Sequence, residues 1–177
     1  VNEDDNSWKS SDTSHGGFWE GGKHWSEVLA DDAINLIEDS KKVDDPFFMY
    51  LAFNAPHDPR QAPERFLEMY PIENIKLPPN YLPQHPFWKD IGNEPGLRDE
   101  ALAPYPRSEY AVKKHIQEYF AIISHLDEQV GKIVSHLENQ NMLDNTLTKT
   151  IDCAGVGHAD ILNDCSAGIC HRLGIQG

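Results

Sequence analysis

Cysteine is nearly missing from this chain. Of 177 residues three are cysteines, Cys153, Cys165 and Cys170, all close to the C-terminal end. An odd number crowded at one end excludes a disulfide framework for the domain as a whole. Long apolar runs are missing too: the run "FFMYLAF" at 47–53 falls far short of the ~18 residues that a membrane-spanning helix needs. Positive charge is scarce, with 15 Lys and Arg against 29 Asp and Glu and a net charge of −14. A nucleic-acid binder displaces counterions from phosphates with a positive surface, so this balance argues against that class. It says little about small anionic substrates, which respond to local charge. There is no Asn-x-Ser/Thr sequon and no initiator methionine. A start at Val1 reads as a missing or processed N-terminus, so the lack of a signal peptide carries no information on compartment.

The length is enough for one ordinary domain with a core of its own. Residues 1–25, including "SWKSSDTSHGGFWEGGKHW", show neither a helical nor a strand period and read as a loop-rich lead-in. From Ser26, a residue able to cap a helix, "EVLADDAINLIEDSKK" places Leu29, Ala33, Leu36 and Ile37 on one face and Lys41 and Lys42 at the end the helix dipole favours. The apolar run "PFFMYLAFNAP" then predicts a strand buried on both faces, and helix followed by buried strand predicts an α/β fold with a mostly parallel sheet flanked by helices. Residues 59–108 are proline-rich and without period, an irregular excursion of the kind that shapes or covers a site. The helical period returns from Glu109 to Gln140, carried by Val112, Ile116, Phe120, Ile123, Leu126, Val130, Ile133, Val134 and Leu137. Residues 26–147 therefore form the body of the domain. Beyond them, 148–177 lose all period and read as an atypical tail, out of frame with what precedes it.

The residue pair that stands out is His57-Asp58, bracketed by Pro56 and Pro59 directly after the apolar run. In α/β sheets ligands sit beyond the carboxyl ends of strands, and flanking prolines stiffen the backbone that presents the imidazole. A histidine there can donate to an anionic oxygen or protonate a leaving group. The plain alternative is a loop histidine that closes a strand end.

"PFFMYLAFNAPHDPRQAPERFLEMYP", followed by "EYFAIISHLDEQVGKIVSHLENQNMLDNTL" and preceded by "GGKHWSEVLADDAINLIED", resembles the middle of a type I sulfatase of the alkaline-phosphatase-like superfamily, close in flavour to the choline-sulfatase and iduronate-sulfatase groups. The resemblance covers about residues 20–147. It implies an incomplete alkaline-phosphatase-like α/β domain and a hydrolase of sulfate esters, on a carbohydrate or small-molecule substrate, in a periplasmic or secreted setting. It also implies a formylglycine nucleophile made from a Cys/Ser-x-Pro-Ser-Arg motif and a calcium ion held by carboxylates and an amide. Of the family's site residues only the histidine of Pro-His-x-Pro transfers, onto His57, as a sulfate contact and leaving-group acid. Neither the nucleophile motif nor the paired aspartates of the first strand occurs in the chain. Asp4-Asp5 and Asp31-Asp32 lack a preceding apolar strand, and Asp152 near the expected second calcium segment is followed by Cys153-Ala154. Without the group that forms the covalent intermediate, this stretch is expected to be inactive by itself. A phosphonate or phosphate monoester hydrolase of the same superfamily and a non-catalytic binding or scaffold fragment are the other readings.

Several further residues have ordinary explanations. Cys153, His158, Cys165, Cys170 and His171 are zinc-ligand types without a Cys-x-x-Cys pair, and are read as incidental. His125 and Asp127, on the long helix, are expected to be structural, with Asp127 tucked inward. Arg60 and Lys23 are equally suited to an anionic sugar and to plain surface charge. Nothing assigns a role to His15 or His24.

Overall fold

A computed structural model describes residues 7–92, 97 and 102–149. Two helices organise them: α1 at Trp25–Ser40 and the 31-residue α3 at Glu109–Asn139, with a single-turn helix α2 at Glu64–Leu67 between them. At 1.5 Å per residue α3 runs about 46 Å and forms the spine of the domain.

The ends of both helices follow from local chemistry. Ser108 caps α3, its hydroxyl oxygen accepting from the Ala111 N–H at 3.1 Å. At the other end Asn141 takes φ 55°, the Asn141 N–H donates to the Glu138 carbonyl and the Met142 N–H reaches back to Leu137, each at 2.9 Å. That is a Schellman close, in which asparagine supplies the left-handed residue. The cap of α1 differs from the expectation. It is His24, not Ser26, whose ring Nδ1 accepts the Ser26 N–H at 3.1 Å, so an imidazole lone pair takes the place of the hydroxyl.

α1 turns Ala30, Ala33 and Ile37 toward Ile133 and Leu137 of α3, with Met142 and Leu143 closing the far edge. The two alanines allow close approach of the helices, and burying Ile37 stabilises the contact by about 1.5–3 kcal/mol. Leu36, expected on this face, is 56% exposed, because the buried stripe is centred on Ala30, Ala33 and Ile37. A second cluster joins Phe18, Ala55, Ala62, Phe66 and Leu67 to Ala121 and Ile122 in the middle of α3. Arg65 fixes α2 to the same helix, donating from both terminal nitrogens to the Glu128 carboxylate at 2.6 and 2.7 Å.

The segment 46–56 corrects the sequence reading most clearly. It is extended, but no strand pairs with it among the described residues, which hold helices, 3-10 turns and loops. Met49, Leu51 and Phe53 pack on the α1–α3 cluster while Phe48 and Tyr50, at 91% and 68% exposure, face away. The burial alternates with period two although the sequence does not. Apolar residues occupy both faces, and only the face toward the helices is covered. The parallel sheet expected here is therefore not among the described residues. The family's second calcium segment with Asp152, and the cysteines and histidines of the tail, lie outside them.

Candidate functional site

The extended segment ends in a tight turn. The His57 N–H donates to the Asn54 carbonyl at 2.9 Å, and the Ala55–Pro56 and Asp58–Pro59 peptide bonds are both cis. His57 is exposed at the mouth of a small cavity of about 430 Å³ that it shares with Phe18, Phe53, Asn54 and Asp58. Its Nδ1 lies 2.9 Å from the Asp58 carbonyl oxygen, so Nδ1 carries the proton and donates. Nε2 is then the nitrogen left to meet a ligand. It accepts when the ring is neutral and donates to an anion once the ring takes a second proton.

Asp58 continues the site inward. One carboxylate oxygen lies 3.4 Å from the Arg60 guanidinium, whose other terminal nitrogen donates to His115 Nδ1 on α3 at 2.5 Å. Burial, with the Arg60 charge beside it, pushes His115 down to about 4. The ring is thus neutral near pH 7 and serves Arg60 as an acceptor. Arg60, open between sugar binding and surface charge on sequence alone, is built into this chain of contacts. Lys23 is not: it pairs with Asp31 on α1 at the surface.

The lead-in segment holds the turn from behind. Gln61 is completely buried; its Oε1 accepts the Phe18 N–H at 2.7 Å, its Nε2 donates to the Gly16 carbonyl at 3.0 Å, and its own carbonyl receives His24 Nε2 at 2.9 Å. The Ser10 hydroxyl donates to the Arg60 carbonyl at 2.7 Å and accepts from the Ala62 N–H at 3.2 Å. Gly17 makes this approach possible: it sits at φ +65°, and a Cβ on it would lie 2.5 Å from Gln61 Oε1. Neither Gln61 nor Ser10 carried a signal in the sequence. The Gly16-Gly17 pair was the one available hint of close backbone contact.

The histidines without an assigned role divide. His15 stacks on Trp8 at 4.9 Å in the lead-in. His24 is buried as the α1 cap, edge-on to buried His125. His125 donates from Nε2 to Glu27 at 3.1 Å, in keeping with the structural role expected of it, and Asp127 is half-buried and partnered. No group of three or more His, Cys, Asp or Glu among the described residues is placed to hold a metal ion. The carboxylate cluster that the resemblance implies for calcium is therefore not assembled among the described residues.

Comparison with known proteins identifies the family. The family model described as Sulfatase matches residues 2–148. The chain is 35% identical over 126 residues to mouse (Mus musculus) iduronate 2-sulfatase, covering 66% of the chain and 23% of that protein. A sulfatase from Formosa agariphila is 32% identical over 133 residues, covering 69% and 25%. The choline-sulfatase of Rhizobium meliloti is 28% identical over 134 residues, covering 73% and 25%. The chain thus spans about a quarter of the length of the curated relatives it matches.

Proposed function

Because the chain belongs to the sulfatase family, we propose that it serves a sulfuric ester hydrolase, and that His57 is its contribution to the reaction. The observation that carries this reading is the presentation of His57. It stands at the end of an extended apolar segment, exposed at a cavity, with Nδ1 engaged by a backbone carbonyl and Nε2 left for a ligand. An ester sulfate at that cavity would accept from the protonated Nε2, and the same proton can pass to the leaving ester oxygen when a nucleophile that these residues do not supply bonds to the sulfur and the S–O bond breaks. Carbohydrate and small-molecule sulfate esters, as in the names of the relatives, are the proposed substrate class.

The 177 residues hold no Cys/Ser-x-Pro-Ser-Arg motif, and the described ones offer no metal donor set. In this reading the stretch binds the ester and does not hydrolyse it. Titrating the full chain with 4-nitrophenyl sulfate while following the histidine ring resonances by NMR tests the proposal. A shift at His57, lost with the binding in His57→Ala, supports it. Binding that is unchanged in His57→Ala overturns it.

A further inference from the structure

The cavity at His57 carries a charge that works against an anion. Among the described residues lining it, Phe18, Phe53, Asn54 and His57 have no fixed charge, and the one carboxylate is Asp58. The chain around it has a net charge of −14. Like charges repel strongly in a partly desolvated cavity, so an uncompensated Asp58 would hold anions away from the imidazole beside it.

Arg60 supplies the compensation and is held in place to do so. One terminal nitrogen of its guanidinium lies 3.4 Å from the Asp58 carboxylate, and the other donates to Nδ1 of His115 on α3 at 2.5 Å. Its main-chain carbonyl accepts from the buried Ser10 hydroxyl at 2.7 Å. The side chains of Arg60 and Asp58 are 21% and 29% exposed, so the pair is screened less than one in open solvent. Arg60 does not itself line the cavity at His57. Its charge reaches a ligand there by way of Asp58.

We propose that Arg60 is a positioning residue for the His57 site: it holds the Asp58 carboxylate in an ion pair, cancels its charge at the cavity, and so admits an anion to Nε2 of His57. His115 acts one step further back, as the acceptor that orients the guanidinium. The use of this masking for a sulfate ester rests on the reading of His57 above. The masking itself does not.

The test is alkylation of His57 in the full chain by iodoacetate, an anion, against iodoacetamide, its neutral counterpart, read at the His57 peptide by mass spectrometry. In either reaction the Nε2 lone pair displaces iodide, so the ratio of the two rates reports local charge and cancels differences in exposure. Arg60→Gln, whose amide can still donate to His115, is expected to lower the iodoacetate-to-iodoacetamide ratio by up to about tenfold. Salt at ~1 M, where the Debye length is about 3 Å, should narrow that gap. Arg60→Lys should keep the ratio near that of the parent. Asp58→Asn alone, which leaves Arg60 in place, should raise it, and Asp58→Asn added to Arg60→Gln should restore it. A ratio unchanged in both single variants overturns the proposal. A fall in Arg60→Gln that Asp58→Asn does not restore overturns it too, because Arg60 would then act on the anion directly. Titration with 4-nitrophenyl sulfate separates this proposal from the reading of His57. Binding lost in His57→Ala and weakened in Arg60→Gln supports both. Binding lost in His57→Ala but unchanged in Arg60→Gln overturns the masking for the ester. Binding unchanged in His57→Ala removes the reading of His57 and leaves the masking to be decided by the alkylation ratio.

Discussion

The ring of His24 stands edge-on to that of His125, 4.3 Å between centroids at an interplanar angle of 90°, with both side chains buried. His24 donates to Gln61 behind the proposed site and His125 to Glu27 of α1, so the pair joins the turn carrying His57 to both long helices. Two cations cannot share this space, and burial favours the neutral form of each ring.

This gives the domain a defined acid sensitivity. Burial, then the neighbouring His24, pushes His125 down to about 3; burial also lowers His24, and burial with Arg60 lowers His115. A histidine held below its unfolded value of about 6.5 contributes stability in full above that pH, and loses it as the pH falls, because the unfolded chain takes up the proton first. Urea unfolding should show stability constant above about pH 7 and falling below 6.5 by up to ~1.4 kcal/mol per pH unit for each such ring. Glu128, drawn down to about 2 by Arg65, adds a further loss only below pH 4.5. A profile flat from pH 7 to 5 would show that the rings are not held neutral.

Gln61 is expected to matter far more than a loop glutamine normally does. Gln61→Ala strands the buried Phe18 N–H, at a cost of about 1–3 kcal/mol, while the Gly16 carbonyl keeps the Trp19 N–H as its donor. Gly17→Ala should be costlier than Gly21→Ala. Both sit at positive φ, but a Cβ at Gly21 meets nothing within 4 Å whereas one at Gly17 strikes Gln61. The difference between the two urea midpoints measures the contact alone.

The corrected face of α1 is open to the same kind of measurement. Ile37→Ala should cost about 2–5 kcal/mol, since it empties a site shared with Ile133 and Leu137. Leu36→Ala, one residue away and 56% exposed, should fall within about 0.5 kcal/mol of the parent. Equal losses would return the helix to the orientation that periodicity alone suggests.

Phe48 and Tyr50 form an exposed aromatic face on an extended segment without a paired neighbour among the described residues. Such a face invites edge-to-edge or face-to-face association. Phe48→Ser with Tyr50→Ser should lower self-association in sedimentation velocity while leaving the urea midpoint nearly unchanged. A large fall in the midpoint would mean that these side chains are buried in the folded domain.

How much of this was legible in the sequence depends on the range of the interaction. The period over 109–140 depends on neighbours within a few residues, and it could be read directly. Burial along α3 could not. Gln117, His125 and Gln129 lie buried on the core side, while Val112, Ile116 and Phe120 line a larger cavity. Gln117 is welcome inside because its amide reaches the carbonyls of Leu67 and Tyr70, some fifty positions earlier in the chain. Apolar pattern identifies residues that gain from leaving water; it does not identify polar residues whose partners arrive from a distant segment.

The amino-acid sequence by itself determined the two long helices, the proline-bracketed His57-Asp58 turn and the resemblance that the family match supports, because periodicity, rigid φ angles and motif spacing are local quantities. Tertiary structure alone decided which face of "FFMYLAF" is covered, that Gln61 and Ser10 brace the turn, and that Asp58, Arg60 and His115 form one chain of contacts from the turn to α3. Each of these needs two or more segments far apart in the chain to meet. Burial and hydrogen-bond complementarity are properties of that meeting, and no single segment carries them.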